Sequence, residues 1–363
     1  MSKGTIITLT LTLLSHAAQT QSVFSDGSWF KLGVTETGIY KIDRDYVANF
    51  LGINVSNLNA NTIKLYGFNG GMLPQENSAS WYSDPPEIPL HRSGTGDGSF
   101  DVGDYLLFYA QSPDKARLRV DGTLEYEKNL YSDTAYYFLT FGGEPGGLIE
   151  TIENQGPGSE TVNTFNDYIT HEVDETNILF SGREWYGERF GTSNGENTLD
   201  FNYRVEGIVD SVGLYTRLIG QSDTPASFDI LLNQNLLGQV PIDSVPSVES
   251  YSEISRVRYT FRGTESFGEF SASGVNSNDL NLTFRFNRGS GTSSKGFIDY
   301  FILGFERQLE LYGNQTVFRN ARSLDRSINY EIRILGGNKN AKVWDVTDPT
   351  APKEQQYQQT GTS

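Results

Sequence analysis

The chain has 363 residues and a formal net charge of −17, a sign that excludes a phosphate-binding nucleic-acid protein. It has no cysteine, which excludes disulfides, thiolate metal sites and a cysteine nucleophile within these residues. With 22 Phe, 20 Tyr and 38 Gly, 12 Pro and no long Ala/Leu/Glu/Lys runs, the composition favours β-structure with many turns, and the length favours two domains.

Lys3 precedes the apolar run GTIITLTLTLL, and small residues follow near Ala17 and Ala18. This pattern reads as a secretory signal over residues 1–18. The run is shorter than the roughly 20 apolar residues of a membrane span. No other stretch approaches that length, so the mature protein is expected to be exported, with no transmembrane segment.

A β-rich N-terminal domain is expected over 24–150. Trp29–Val34 and Gly38–Ile42 read as strands joined by a turn at Thr35–Thr37. DRDYVANFLGI is the best helix candidate: Asp43 can cap it, Tyr46, Val47 and Phe50 share a face, and Gly52 stops it. TIKLYGF and DYLLFYA read as strands separated by a long polar excursion, and TAYYFLTF closes the unit. GGEPGG and ENQGPGSE then supply glycine, proline and charge without a core residue, which marks a boundary.

From about residue 160 the strands recur at roughly 8–12-residue spacing. Val257, Tyr259 and Phe261 alternate with Arg256, Arg258, Thr260 and Arg262; Leu280, Leu282, Phe284 and Phe286 alternate with Asn281, Thr283 and Arg285. Each stretch has one core face and one wet face. GFIDYFILGF is apolar on both faces and reads as a central strand. With FDILLN, GLYTRLIG and FNYRVEGIV it predicts an all-β, mainly antiparallel fold, with a jelly-roll-like β-sandwich of at least eight strands over 160–346. No internal repeat of fixed period occurs. Lys342–Val346 alternates like a last strand, Pro349 and Pro352 end the ladder, and the glutamine-rich 347–363 reads as a linker toward a further domain.

The candidate sites are each weighed against a plainer reading. GTSNG, residues 191–195, matches the G-x-S-x-G elbow of a hydrolase, but no helix pattern follows Ser193, so a glycine-rich loop is expected. Of three histidines, His16 lies in the signal; His91 and His171 stand apart and read as surface residues, although His171 precedes the acidic EVDE. Asp97, Asp101 and Asp104 could gather calcium, yet they lack the regular D-x-D-x-D order and a closing glutamate, and Asp and Gly are ordinary turn residues. Glu184 and Glu188 flank Trp185 and Tyr186 as a glycosidase pair would, but Arg183 and Arg189 are the expected partners of those glutamates. No residue is assigned a catalytic, cofactor-binding or metal-binding role, and no cofactor is expected.

Seven stretches occur in a familiar order: GSWFKLGVTETGIYKID, IKLYGFNGGMLP, GDGSFDVGDYLLFYAQSP, NLYSDTAYYFLT, SGREWYGE, GFIDYFILGFERQL and VWDVTDPTAP. From about Gly27 to Pro352 the chain thereby resembles the PorU-type sortases of the type IX secretion system, gingipain-like cysteine peptidases. In that family the VWDVTDP stretch precedes a peptidase domain with a His–Cys dyad. The resemblance implies that this chain is the non-catalytic N-terminal part, with 347–363 leading toward that domain. It also implies an outer-membrane or cell-surface location. Its implied partners are other type IX secretion components and secreted cargo, whose C-terminal sorting signals the whole protein removes before joining cargo to surface lipopolysaccharide. A different reading is an autonomous exported carbohydrate-binding or adhesion sandwich, with Trp81 and Tyr82 as the exposed pair that stacks on sugar rings.

Overall fold

A computed structural model of the protein describes residues 21–119, 124–178, 184–191, 197–245, 263–291, 293–325 and 327–361. The expected signal with His16, Arg183, Ser193 and the alternating stretch Arg256–Arg262 lie outside the described residues.

The first unit follows its alternation. In Phe30–Val34, Leu32 and Val34 turn inward and Lys31 and Gly33 outward, and the strand pairs antiparallel with Ala135–Thr140, placing Leu32 opposite Tyr137. Lys64–Gly67 and Glu87–Ile88 complete this sheet. A second sheet orders Gly38–Asp43, Tyr105–Ala110 and His91–Ser93. Leu32, Ile42, Leu65, Leu106, Phe108 and Leu139 from both sheets share one core. Gly67 is required there, because a Cβ would stand 2.3 Å from the Tyr137 ring.

The helix expected after Asp43 forms as one wide turn, Tyr46–Phe50. The Asp43 carboxylate accepts the Tyr46 N–H at 3.0 Å, Leu51 N–H donates back five residues to Tyr46 O, and Gly52 follows at φ +67°. Val47 is buried but Phe50 stands in water, so the expected three-residue face narrows. Lys115–Leu118 and Leu124–Glu127 pair antiparallel as a hairpin.

The second unit is the sandwich. One sheet orders Thr164–Glu172, Lys295–Gln308, Ile208–Gln221 and Thr264–Ala272, with Arg189–Phe190 also paired to Lys295–Gln308; the other orders Thr198–Arg204, Asp279–Asn287, Ala226–Leu232 and Asn235–Ile242. Counted along the chain, the eight long strands run 1-8-3-6 in one sheet and 2-7-4-5 in the other, the jelly-roll order of two Greek keys. Lys295–Gln308 is central, as its two apolar faces require. Leu280, Leu282, Phe284 and Phe286 face Phe301, Leu303 and Phe305 across the core. Each such side chain contributes about 1.5–3 kcal/mol by leaving water.

The segment after the sandwich returns to the first unit. Val343–Asp345 pairs antiparallel with Lys353–Gln355, which in turn pairs parallel with Glu150–Ile152. Just beyond, Glu160–Val162 pairs parallel with Tyr330–Ile332. Pro352 therefore does not end the ladder. It sits immediately before the strand, where no ladder N–H is needed, and the Asp348 carboxylate turns the chain by accepting Thr350 N–H at 3.0 Å.

Candidate functional site

The groups best placed to act lie along two seams that join the units. At the C-terminal seam, strand alternation buries Trp344 while its neighbours Val343 and Asp345 face outward. Its ring centroid lies 6.5 Å from that of His91 on the first unit. Glu354 Oε2 is 3.0 Å from His91 Nδ1, and Glu354 Oε1 accepts from Lys342 Nζ at 2.9 Å. Burial, with Lys342 adding to it, holds the His91 ring below its ordinary value despite Glu354. The ring is then neutral near pH 7 and meets the carboxylate by donating from Nδ1. Ile39 N–H donates to Gln315 Oε1 at 2.8 Å, a further tie between the units.

At the hairpin seam, Lys128 Nζ reaches Asp174 Oδ2 at 3.0 Å and the Glu172 carbonyl at 3.3 Å. Asp114, at the hairpin base, accepts from Tyr126 OH at 2.7 Å and Asn129 N–H at 2.8 Å. On the sheet beside them, Arg217 holds Asp299 at 2.8 Å and Glu265 through Nε at 3.0 Å. Burial pushes Glu172 up to about 7; Lys128 opposes the rise, and Asp299, Asp174 and Asp114 add to it. Burial likewise raises Asp299, against Arg217.

His171 is not a plain surface residue. Its ring stacks on Phe301 at 4.8 Å and meets Phe201 edge-on at 4.7 Å, and Nε2 lies 2.7 Å from Glu188 Oε1. Burial alone would raise Glu188, but the bond to His171 brings it below its ordinary value. Glu188 thus pairs with a histidine from another strand rather than with a neighbouring arginine. Glu184 accepts from Tyr186 OH at 3.3 Å.

The aspartate loop is a turn. Asp97 accepts Ser99 N–H at 2.9 Å and Asp104 accepts Asp101 N–H at 2.7 Å, while Gly94, at φ +85°, leaves room for the Asp104 carboxylate. Among the described residues no three His, Asp or Glu side chains converge to hold a metal. Trp81 and Tyr82 pack against Phe68 at 5.7 and 5.8 Å. Tyr82 is 42% exposed and Trp81 is half-buried, so only the tyrosine is open as expected.

Asp299, Lys128 and Arg217 escaped the sequence reading, as did the Lys342–Glu354 pair; Glu172 and Asp174 entered it only as part of the acidic EVDE. One signal was available: Asp299 is the lone charge inside the apolar GFIDYFILGF, and a buried carboxylate needs a partner. Chemically, both seams are paired charges that tie the two units together.

No family model matches the sequence, and no curated protein matches it. Among solved structures, the chain is similar to dimeric latent PorU from Porphyromonas gingivalis, at 19% identity and a TM-score of 0.73 over 93% of this chain and 30% of that one. This likeness is one of fold, and the chain spans 30% of the length of that protein. Weaker likenesses are to the CBM36-1 domain of a xylanase from the hindgut metagenome of Trinervitermes trinervoides (10% identity, TM-score 0.23, 42% of this chain and 99% of that one). A family 35 carbohydrate-binding module from Clostridium thermocellum is comparable (14% identity, TM-score 0.24, 39% and 98%). At such scores neither bears on fold or function.

Proposed function

We propose that this chain is the non-catalytic N-terminal β-region of a type IX secretion sortase, exported to the cell surface, where it positions a cysteine peptidase domain and contacts secretion components and cargo. The observation that carries the reading is the match to PorU over 93% of the chain. The ordered motifs point the same way, and with no cysteine these residues do not themselves carry the family's nucleophile. In this reading the work of the chain is geometric. The ladder from Glu150–Ile152 to Lys353–Gln355 and the His91–Glu354 contact fix the 343–355 segment against the first unit, so anything beyond it leaves from a defined place and direction.

The test is genetic. Disrupting the gene in its native host should leave secreted cargo carrying uncleaved C-terminal sorting signals, seen as a mass increase. The intact gene should restore cleavage, and a gene encoding only residues 1–363 should not. Normal cargo processing after disruption, or restoration by residues 1–363 alone, would overturn the proposal.

A further inference from the structure

We infer that the strand Thr198–Arg204 is an interaction edge, which pairs antiparallel with the same strand of a second copy of this chain about a two-fold axis at Asn202. The sandwich has four outer strands, and among the described residues three of them are closed. Thr164–Glu172 is covered at its start by Arg319, whose carbonyl accepts Asn166 N–H at 2.7 Å, and at its end by Lys128 on the Glu172 carbonyl at 3.3 Å. Asn235–Ile242 carries Pro241 and breaks register opposite Ile230 and Leu231. It also lies against Thr264–Ala272 of the other sheet, where Ser266 Oγ donates to the Pro241 carbonyl at 2.7 Å and a Cβ at Gly268 would stand 2.6 Å from Val240. Thr198–Arg204 has none of these covers. It is seven residues long, with no proline, lysine or bulge, and natural sheets seldom leave such an edge open.

The ladder from this strand to Asp279–Asn287 is made by its odd-numbered residues. Phe286 N–H donates to Asn197 O and Val205 N–H to Asn278 O, both at 2.7 Å, at the two ends of one unbroken register. Hydrogen-bonded pairs alternate along an antiparallel ladder, so the N–H and C=O groups of Thr198, Asp200, Asn202 and Arg204 point away from the sheet. The side chains of those four are exposed, whereas Leu199, Phe201 and Tyr203 turn toward the core and are only half-buried. An added strand would therefore satisfy a row of backbone groups and cover three apolar side chains.

The strand is complementary to itself in one register. With Asn202 opposite Asn202 of the partner subunit, Asp200 faces Arg204 of the partner subunit on the outer surface, and Arg204 faces the partner's Asp200. On the core side Phe201 then meets Tyr203 of the partner subunit and Leu199 meets the partner's Val205, and such opposite-charge and aromatic pairs stabilise a sheet. A shift of two residues one way sets Asp200 against Asn202 and removes the ion pairs; the other way sets it against Glu206. Asp200 uses one carboxylate oxygen on Thr283 at 2.5 Å, and Arg204 one nitrogen on Asp279 at 3.2 Å, so both keep atoms for the new pair. The two-fold axis joins two four-stranded sheets into one of eight strands and uses up the edge of each copy, so association stops at the dimer.

The experiment is analytical ultracentrifugation of the 363-residue chain at low salt, from about 1 to 100 µM. The wild type should show a reversible monomer–dimer equilibrium. Asn202→Pro removes one outward N–H and leaves the strand's own ladder intact, so dimerisation should weaken about tenfold or more at unchanged melting temperature. Asp200→Lys, which sets like charges across the axis, should weaken it comparably. A wild type that stays monomeric throughout would overturn the inference, as would a dimer that persists undiminished in both variants. If Asn202→Pro does not fold, Asp200→Lys decides alone.

Discussion

Glu354 Oε2 lies 3.0 Å from His91 Nδ1, so a residue from the end of the chain closes on a strand of the first unit across the whole intervening sandwich. That contact makes the 343–355 segment part of the folded body, and it gives the first of the expected outcomes.

Removing either partner should loosen the segment. Glu354→Ala leaves His91 and Lys342 without their shared acceptor, and losing hydrogen bonds of this kind costs about 1–3 kcal/mol. We expect Trp344, now buried, to red-shift in fluorescence at unchanged sandwich melting temperature. Unchanged Trp344 emission in Glu354→Ala would contradict the clamp.

The pH dependence of stability has a definite sign. Glu172 is raised from its ordinary value near 4.5 to about 7 in the fold. The folded state therefore binds the proton more tightly than the unfolded state. The stabilisation is complete below about pH 4.5 and is lost as pH rises through about 7. A shift of that size corresponds to roughly 2–3 kcal/mol after discounting for partial exposure. Urea titrations should show Glu172→Gln gaining stability over wild type at pH 8, and little at acid pH. A variant equal to wild type at pH 8 contradicts the assignment.

The core of the sandwich turns on Phe301, which touches Phe284 at 5.4 Å, Phe201 at 5.0 Å and His171 at 4.8 Å and has no exposed surface. Phe301→Ala should cost about 3–5 kcal/mol. His171→Phe keeps the ring stack but strands the Glu188 carboxylate, whose second oxygen has no partner among the described residues, and should cost about 1–3 kcal/mol. Chemical denaturation of the two variants separates packing from pairing.

The carbohydrate-binding reading stands or falls on Trp81 and Tyr82. With Trp81 half-buried against Phe68, we expect no retention on a glycan array at millimolar sugar. Micromolar binding abolished by Trp81→Ala would favour an autonomous module instead.

Much of the fold was legible because period-two alternation survives wherever one face is wet. Leu280 to Phe286 gave their strand and its inward face directly, and the doubly apolar GFIDYFILGF gave its central place. Two things were not legible. Pro352 looked like a stop, because whether a proline breaks a ladder depends on which side of the strand it falls. The seams were hidden because their charges come from distant segments: Glu354 and His91, Lys128 and Asp174, Glu188 and His171 meet only through the topology. Local sequence carries acidity, as in EVDE, but not the neighbour that turns one carboxyl into a proton store.

The central claim, that this chain is the N-terminal part of a sortase, is tested most directly by reading the native gene past codon 363, together with the intact mass of its product in the source cells. The account expects the frame to continue into a domain carrying a histidine and a cysteine, with a product mass to match. A stop codon directly after Ser363, with an intact mass that agrees with it, would contradict the account.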